Sequence, residues 1–204
     1  MASIQVNGGA FEWQEQGKGK PVLFVHGSVS DYRTWENQVA PFAKHYHVIL
    51  YSRRYHYPNT WPGDGTDYTV TLHANDLEAV LKLLNLGPVN LVVSSYGAYI
   101  SLLTALKNPG LVQSLVLGEP PILPLLISNP DNPLAVLSLL FRNFPAGKSF
   151  IKFGMKSMKP AQQAFRQGNL EAGVHLFANG VLGESGFEQL SLKKKRPSWI
   201  ILLL

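Results

Sequence analysis

Four short apolar runs, separated by segments of helical character, organise most of this chain. The runs are residues 22–25, 47–51, 89–93 and 111–117. A continuous apolar run of about four to eight residues is typical of a strand buried on both faces, as in a parallel sheet. The helical segments between the runs are residues 35–44, 72–86 and 97–107. Strand and helix alternate three times, which predicts an α/β fold with a mostly parallel, doubly wound sheet covered on both faces.

An antiparallel hairpin is predicted ahead of the first run. Residues 4–6 alternate between apolar and polar side chains, and Asn7-Gly8-Gly9 is a strong turn signal after them. Residues 11–15 then supply the second strand of the hairpin.

Residues 120–192 differ in composition from the part before them. Seven of the 14 prolines lie between Pro120 and Pro160, which is too many for central strands or for one long helix. Short apolar stretches of helical character stand between these prolines. The sequence therefore predicts three parts: a sheet-containing core at 1–119, a helical subdomain at 120–192 and a basic, apolar tail at 193–204.

The charge of the chain is concentrated in that tail. The formal net charge is +5, and residues 193–196 are four consecutive cations with no acid after them. Residues 1–192 then carry 14 cations and 13 acids, a net charge of +1. A broad phosphate-binding face is not supported, so we expect no nucleic-acid partner.

The composition also limits the chemistry and the location. There is no cysteine, which excludes disulfides, thiolate metal sites and a cysteine nucleophile. No apolar run approaches the roughly 20 residues that span a bilayer, and residues 1–10 lack the apolar core of a signal peptide. We therefore expect a cytoplasmic protein without a membrane span.

One serine stands where a buried strand passes directly into a helix. In the segment LVVSSYGA, residues 91–98, Ser95 follows the third apolar run. A serine at such a junction exposes its hydroxyl at the carboxyl end of the sheet, beside helix N–H groups that stabilise an oxyanion. Small residues usually stand two positions to either side, because the turn is crowded. Gly97 fits this pattern, whereas Val93 departs from it.

A second motif, His26-Gly27-Ser28, follows the first apolar run directly. A loop at that place can aim a backbone N–H, that of Ser28, at the same oxyanion as the N–H of Tyr96. The two motifs occur in order, each at the end of a predicted buried strand, and together they are far more specific than either alone.

With these motifs, residues 3–120 resemble the α/β-hydrolase family. The resemblance extends to the arginine loop SRRY at 52–55, to Asp76-Leu77 and to residues 115–117. It implies that Ser95 is the nucleophile and that the N–H groups of Ser28 and Tyr96 form the oxyanion hole. Supporting roles in the same loops fall to His26, Gly27 and Gly97.

The resemblance also implies a substrate class. Residues 120–192 would be the helical cap of the family, and no cofactor is expected. A serine nucleophile indicates an esterase, lipase or lactonase acting on a small-molecule carboxylic ester or lactone, whereas an aspartate would have indicated an epoxide hydrolase or dehalogenase.

The acid and the base are less well marked. In the family they follow the nucleophile in chain order, on two strands after the cap, and these last strands are missing from the sequence pattern here. Glu119, directly after the fourth run, is a candidate acid or else a turn residue. His175, the only histidine after Ser95, is a candidate base or else a residue of the cap.

Two alternatives to an esterase remain open. The chain could be a truncated or degenerate hydrolase that binds a small apolar ligand without turnover, or a cofactor-free oxygenase or perhydrolase on the same scaffold.

Three further structural expectations follow from the sequence. The tail at 193–204 could be a short strand or an aberrant end. An unpaired edge at the strand 111–117 predicts a homo-oligomer. His73, on the apolar face of its helix, is expected to be packed and hydrogen-bonded.

Overall fold

The computed structural model describes residues 2–61, 63, 65, 67–130 and 132–183. The chain forms two compact units, Met1–Pro121 and Ile122–Leu204. The tail predicted at 193–204 lies outside the described residues.

The first unit is built on a six-stranded sheet in the order β1-β2-β4-β3-β5-β6. The strands are β1 Ala2–Val6, β2 Gly9–Gln16, β3 Lys20–Val25, β4 Tyr46–Tyr51, β5 Val89–Ser94 and β6 Val112–Gly118. Strands β1 and β2 form the predicted antiparallel hairpin, and β2 pairs antiparallel with β4. The pairs β3–β4, β3–β5 and β5–β6 are parallel. The mostly parallel α/β sheet predicted from the apolar runs is confirmed.

Helices pack on both faces of this sheet. They are α1 Glu36–Phe42, preceded by a 3-10 turn at Tyr32–Trp35, then α2 Val70–Leu84 and α3 Ser95–Lys107. Leu23 and Val25 of β3 belong to the core that α2 and α3 cover, whereas Phe24 packs with Trp35 and Phe42 on the opposite face. Successive residues of a strand point to opposite faces, so an uninterrupted apolar run serves both cores.

Strand β6 differs from the prediction of a strand buried on both faces. Val116 is 60% exposed, and Gln113, Ser114 and Leu117 are exposed as well. The reason is topological: β6 lies at the edge of the described sheet, and the second-face core of the 3-10 turn and α1 reaches only as far as Val92 of β5. The predicted unpaired edge is therefore present among the described strands.

A buried ion pair fixes the loop after β4 to helix α2. Arg54 donates to both carboxylate oxygens of Asp76, through Nε at 2.6 Å and Nη2 at 2.8 Å. Thr69 caps the start of α2 by accepting from the Leu72 N–H, and Asn85 ends it in the left-handed conformation with φ 47°. The position of α2, and with it of His73, is thus set by local caps and one long-range charge pair.

The second unit is helical where it is described. Its helices are α4 Pro133–Arg142, α5 Phe144–Phe153, α6 Lys159–Arg166 and α7 Leu170–Leu182, with a π-helical turn Gly154–Met158 between α5 and α6. Helices α6 and α7 pack closely. A Cβ on Gly173 of α7 would lie only 2.4 Å from the ring of Phe165 of α6. Across the described parts of both units, every helix is too short or too polar to cross a bilayer.

Candidate active site

Residues with strained backbone, meaning a positive φ at a residue other than glycine, lie after the carboxyl ends of the parallel strands. Four residues other than glycine with positive φ each follow a different one of these strands: Val29 (49°) after β3, Tyr55 (62°) after β4, Ser95 (51°) after β5 and Glu119 (49°) after β6. Each such residue costs about 1–3 kcal/mol, and such strain persists mainly where the surroundings impose it, often at functional sites. Ligands of parallel α/β sheets bind at this same edge.

Ser95 occupies the sharp turn predicted for it. Strand β5 ends at Ser94 and helix α3 begins at Ser95, with no residue between them. Ser94 is extended and, among the described residues, caps no N–H of the helix with its side chain. The N–H groups of the first turn, including that of Tyr96, are therefore not used by a local cap and are available to an anion.

The turn fits tightly against the loop that follows β3. A Cβ on Gly97 would lie 2.3 Å from the carbonyl oxygen of His26, so only glycine fits there. A Cβ on Gly27 would lie 2.9 Å from Cβ of Ser95 and 3.5 Å from its Oγ. Val93, the departure from the small-residue pattern, is buried in the core shared with α2 and α3. The two sequence motifs are thus in direct contact.

His26 has no ring nitrogen left to act as a base. The backbone N–H of Arg53 donates to Nε2 at 3.0 Å, so the proton is on Nδ1, which donates to the Gly27 carbonyl at 2.9 Å. Burial, followed by the nearby charge of Arg53, lowers the pKa of His26 well below its usual value. The ring is neutral and holds the loop together.

His56 and Tyr68 extend this cluster, and no motif in the sequence points to either residue. His56 Nδ1–H donates to the carbonyl oxygen of Ser30 at 2.7 Å, and its Nε2 accepts from the Tyr68 hydroxyl at 3.2 Å. Burial and the charge of Arg53 also lower the pKa of His56. Both nitrogens of this ring are therefore engaged as well.

His73 corrects the expectation of a hydrogen-bonded core histidine. It is buried and packs against Tyr68, with ring centroids 4.4 Å apart, and against Tyr96 at 6.0 Å. Yet neither ring nitrogen has a hydrogen-bond partner within the described part of the chain. Burial, then the charges of Arg53 and Arg54, lowers its pKa to about 2, because a proton there would have no compensating acceptor.

Arg53 is a further functional candidate, to which the sequence assigns no role beyond membership of the arginine loop at 52–55. Only 1% of its surface is exposed, and it donates to the carbonyl oxygens of His26 at 3.1 Å and Gly27 at 2.7 Å and to the Tyr68 hydroxyl at 3.3 Å. No carboxylate pairs with it among the described residues, in contrast to Arg54 with Asp76. Two consecutive arginines after a buried strand were the available signal.

The candidate acid and base fall in different units. Ser94 of β5 pairs in register with Gly118 of β6, so Glu119 and Ser95, the next residues, emerge side by side at the edge of the sheet. His175 lies at an exposed position of α7 in the second unit. Within the described ranges, no group of three or more His, Asp and Glu side chains is arranged to hold a metal ion. The roles of Glu119 and His175 stay predictions.

Comparison with known proteins gives one family. A model of the alpha/beta hydrolase fold matches residues 20–196. The uncharacterized hydrolase YraK of Bacillus subtilis is 30% identical over 127 residues, which are 62% of this chain and 47% of that protein. The (E)-2-((N-methylformamido)methylene)succinate hydrolase of Acinetobacter baylyi is 33% identical over 107 residues, 50% of this chain and 38% of that protein. The chain spans less than half the length of these relatives.

A solved structure supports the fold over nearly the whole chain. An epoxide hydrolase of Bacillus megaterium superposes with a TM-score of 0.73, covering 99% of this chain and 68% of its own. The two sequences are 20% identical, so this likeness concerns the fold alone.

Proposed function

Because the chain belongs to the α/β-hydrolase family, we propose that it is a serine hydrolase of carboxylic esters or lactones of small apolar acids, acting through an acyl-enzyme on Ser95. One observation carries the proposal: Ser95 has a strained backbone with positive φ at the junction of β5 and α3, and Gly27 of the loop after β3 lies directly against it. A serine held in this way presents its hydroxyl to a bound carbonyl group.

The reaction would run in two halves. Ser95 Oγ attacks the carbonyl carbon and gives its proton to a base, and the carbonyl oxygen becomes an oxyanion that accepts from the N–H groups of Ser28 and Tyr96. The tetrahedral intermediate collapses, and the alcohol leaves with the proton. Water, deprotonated by the same base, then attacks the acyl-enzyme and releases the acid and Ser95. Loss of one oxyanion donor costs about 100- to 1,000-fold in kcat in serine proteases.

A base is required, because a serine hydroxyl is a weak nucleophile by itself. His26 and His56 are excluded from that role by their hydrogen bonds. We keep His175, the only histidine after Ser95 in the sequence, as the proposed base and Glu119 as the proposed acid. Glu119 is supported by its place beside Ser95 at the edge of the sheet.

The substrate class follows from the nucleophile. The solved epoxide hydrolase shares the fold. In this chain a serine, Ser95, occupies the sharp turn between β5 and α3, which we call the elbow, and a serine there favours acyl transfer over epoxide opening. The Acinetobacter relative is named a hydrolase of a small succinate derivative, which supports a small carbonyl substrate for this chain too.

The second candidate function is binding of a small apolar ligand without turnover. It is favoured by one observation: the ring nitrogens of His26 and His56 are engaged by partners other than Ser95. An elbow without a base would keep the oxyanion donors and the contact with Gly27 while leaving the hydroxyl unactivated.

Labelling with a fluorophosphonate probe, followed by peptide mapping, separates the two functions. We expect an adduct on Ser95 in folded wild-type protein and none in Ser95→Ala, because the probe reacts only with an activated serine. Folded wild-type protein that stays unlabelled, and that hydrolyses no p-nitrophenyl ester, would exclude the hydrolase and leave the binding function.

A further inference from the structure

The carbonyl oxygen of Gly27 accepts from three donors at once. They are Arg53 Nη2 at 2.7 Å, His26 Nδ1 at 2.9 Å and Ser30 Oγ at 3.1 Å. A carbonyl oxygen has two lone pairs, so three donors leave it fully occupied. All three donor residues are buried, and the oxygen is therefore held toward the interior of the first unit.

The same peptide group contains the N–H of Ser28. A trans peptide is planar, and its N–H points opposite to its C=O. If the Gly27 oxygen is held toward the buried cluster, the Ser28 N–H must point away from it. Gly27 itself lies against Ser95, whose Oγ would be 3.5 Å from a Cβ at that position. Fixing one carbonyl thus fixes the direction of a donor beside the serine.

We propose that Arg53 is a positioning residue that aims the Ser28 N–H at the reacting carbonyl oxygen by anchoring the Gly27 carbonyl. This inference rests on the proposed function, since it assigns Arg53 a task in the same reaction. Arg53 makes the shortest of the three bonds to the Gly27 oxygen, and its second bond, from Nε to the His26 carbonyl, holds the preceding peptide too. A guanidinium fork can hold both oxygens at a fixed spacing.

Arg53 also lies beside the other oxyanion donor. Its Cζ is 5.5 Å from the ring centroid of Tyr96, whose backbone N–H lies in the first turn of helix α3. A buried cation without a carboxylate partner is costly unless its hydrogen bonds are satisfied. Here they are satisfied by neutral oxygens of the loop and of Tyr68, so the positive charge is not cancelled next to the place where the oxyanion forms.

Arg54 provides a matched control. It is the next residue, it is also buried, and its partners are Asp76 and the Asn7 carbonyl rather than the loop after β3. Arg53→Met, Arg53→Lys and Arg54→Lys are compared for kcat and KM with a p-nitrophenyl ester and for inhibition by a trifluoromethyl ketone. Such a ketone forms an oxyanion with an active serine and so reports on the hole itself.

For Arg53→Met we expect kcat to fall about 10- to 100-fold with KM within about twofold of wild type, because one oxyanion donor is misdirected rather than removed. The ketone affinity should fall in the same proportion as kcat/KM. Arg53→Lys should recover part of the loss, since one ammonium can reach one carbonyl. Arg54→Lys should melt at a lower temperature and keep the wild-type kcat.

A structural readout separates this inference from the proposed function. Crystal structures of Arg53→Met and Arg54→Lys should show the Gly27–Ser28 peptide rotated in the first and unchanged in the second, whether or not the protein turns over an ester. An unrotated peptide in Arg53→Met, or equal loss of kcat in the Arg53 and Arg54 variants, overturns the positioning role. If Arg53→Met does not fold, Arg53→Lys replaces it in both measurements. An inactive wild type with a rotated peptide in the variant would refute only the proposed function.

Discussion

A side chain on Gly97 would bring its Cβ to within 2.3 Å of the carbonyl oxygen of His26. Helix α3 therefore starts in backbone contact with the end of β3, although these segments are far apart in the sequence. The contact brings the elbow of Ser95 against the loop of Gly27, and its loss would separate the two halves of the proposed oxyanion hole.

We expect Gly97→Ala to destabilise the first unit by about 2–3 kcal/mol, because a methyl group there forces backbone apart in a packed core. Urea unfolding measures this change. Fluorophosphonate labelling of Ser95 should fall in the variant under conditions where it remains folded. Gly110→Ala is the control, since a Cβ on Gly110 meets open space. Equal stability of the two variants would contradict the contact.

The strain at Ser95 predicts an unusual order of stabilities. Glycine adopts positive φ without the penalty that alanine and serine incur, although it is more flexible in the unfolded chain. Ser95→Gly should therefore be more stable than Ser95→Ala by about 0.5–1 kcal/mol in urea unfolding. Both variants should be unlabelled by the probe. If Ser95→Ala is the more stable of the two, the turn is not held at positive φ in solution.

The buried histidines predict that stability declines in acid. The pKa values of His26, His56 and His73 are lowered in the folded protein, so the unfolded chain binds more protons below its own pKa of about 6.5. Their contribution to stability is complete above that pH and is lost progressively as the pH falls toward the folded values. Each histidine contributes about 1.4 kcal/mol per pH unit in this range.

Urea unfolding between neutral pH and about pH 5 tests this linkage. His73→Phe should reduce the slope of the unfolding free energy against pH by the amount that corresponds to about one bound proton, because it removes one of the three buried imidazoles. His45→Gln removes an exposed histidine outside the cluster and serves as the control. A slope unchanged by His73→Phe would mean that this ring is protonated in the folded protein.

The edge of β6 predicts self-association. Val116 is 60% exposed on a strand with one free edge among the described strands, and such an edge can pair with a second copy. Sedimentation at micromolar concentration should detect a dimer, and Val116→Lys should shift it toward monomer. Leu106→Lys, at an exposed position of α3, controls for added charge. A monodisperse wild-type monomer would contradict the prediction.

The parts of the fold that were predictable are those encoded locally. The hairpin at Asn7-Gly8 and the parallel strands follow from turn chemistry and apolar runs, and Ser95 follows from a strand that passes directly into a helix. The cluster around Arg53 was not predictable, because His26 follows β3 whereas Arg53, His56 and Tyr68 lie in the long loop between β4 and α2. The two loops meet only because β4 pairs with β3 in the sheet. No periodic pattern in the sequence predicts a contact between loops that are far apart in the chain.

The exposure of β6 was missed for a related reason. An apolar run indicates burial on both faces, but the place of a strand in the sheet depends on the connections of the whole chain. His73 has no hydrogen-bond partner in the part of the chain that the structure describes, and the sequence does not indicate this. An apolar helix face predicts that a side chain is buried, but not whether its nitrogens are hydrogen-bonded.

The arrangement of Gly27, Arg53 and Ser95 also bears on how the protein is made. These residues belong to the segment that ends with α3, and the strands that carry their loops, β3, β4 and β5, are direct neighbours. Nascent chains fold from the amino end as they leave the ribosome. The turn at Ser95 and the arginine beside it can therefore come together while the helical unit is still being translated, so this strained turn can form early in the synthesis of the protein.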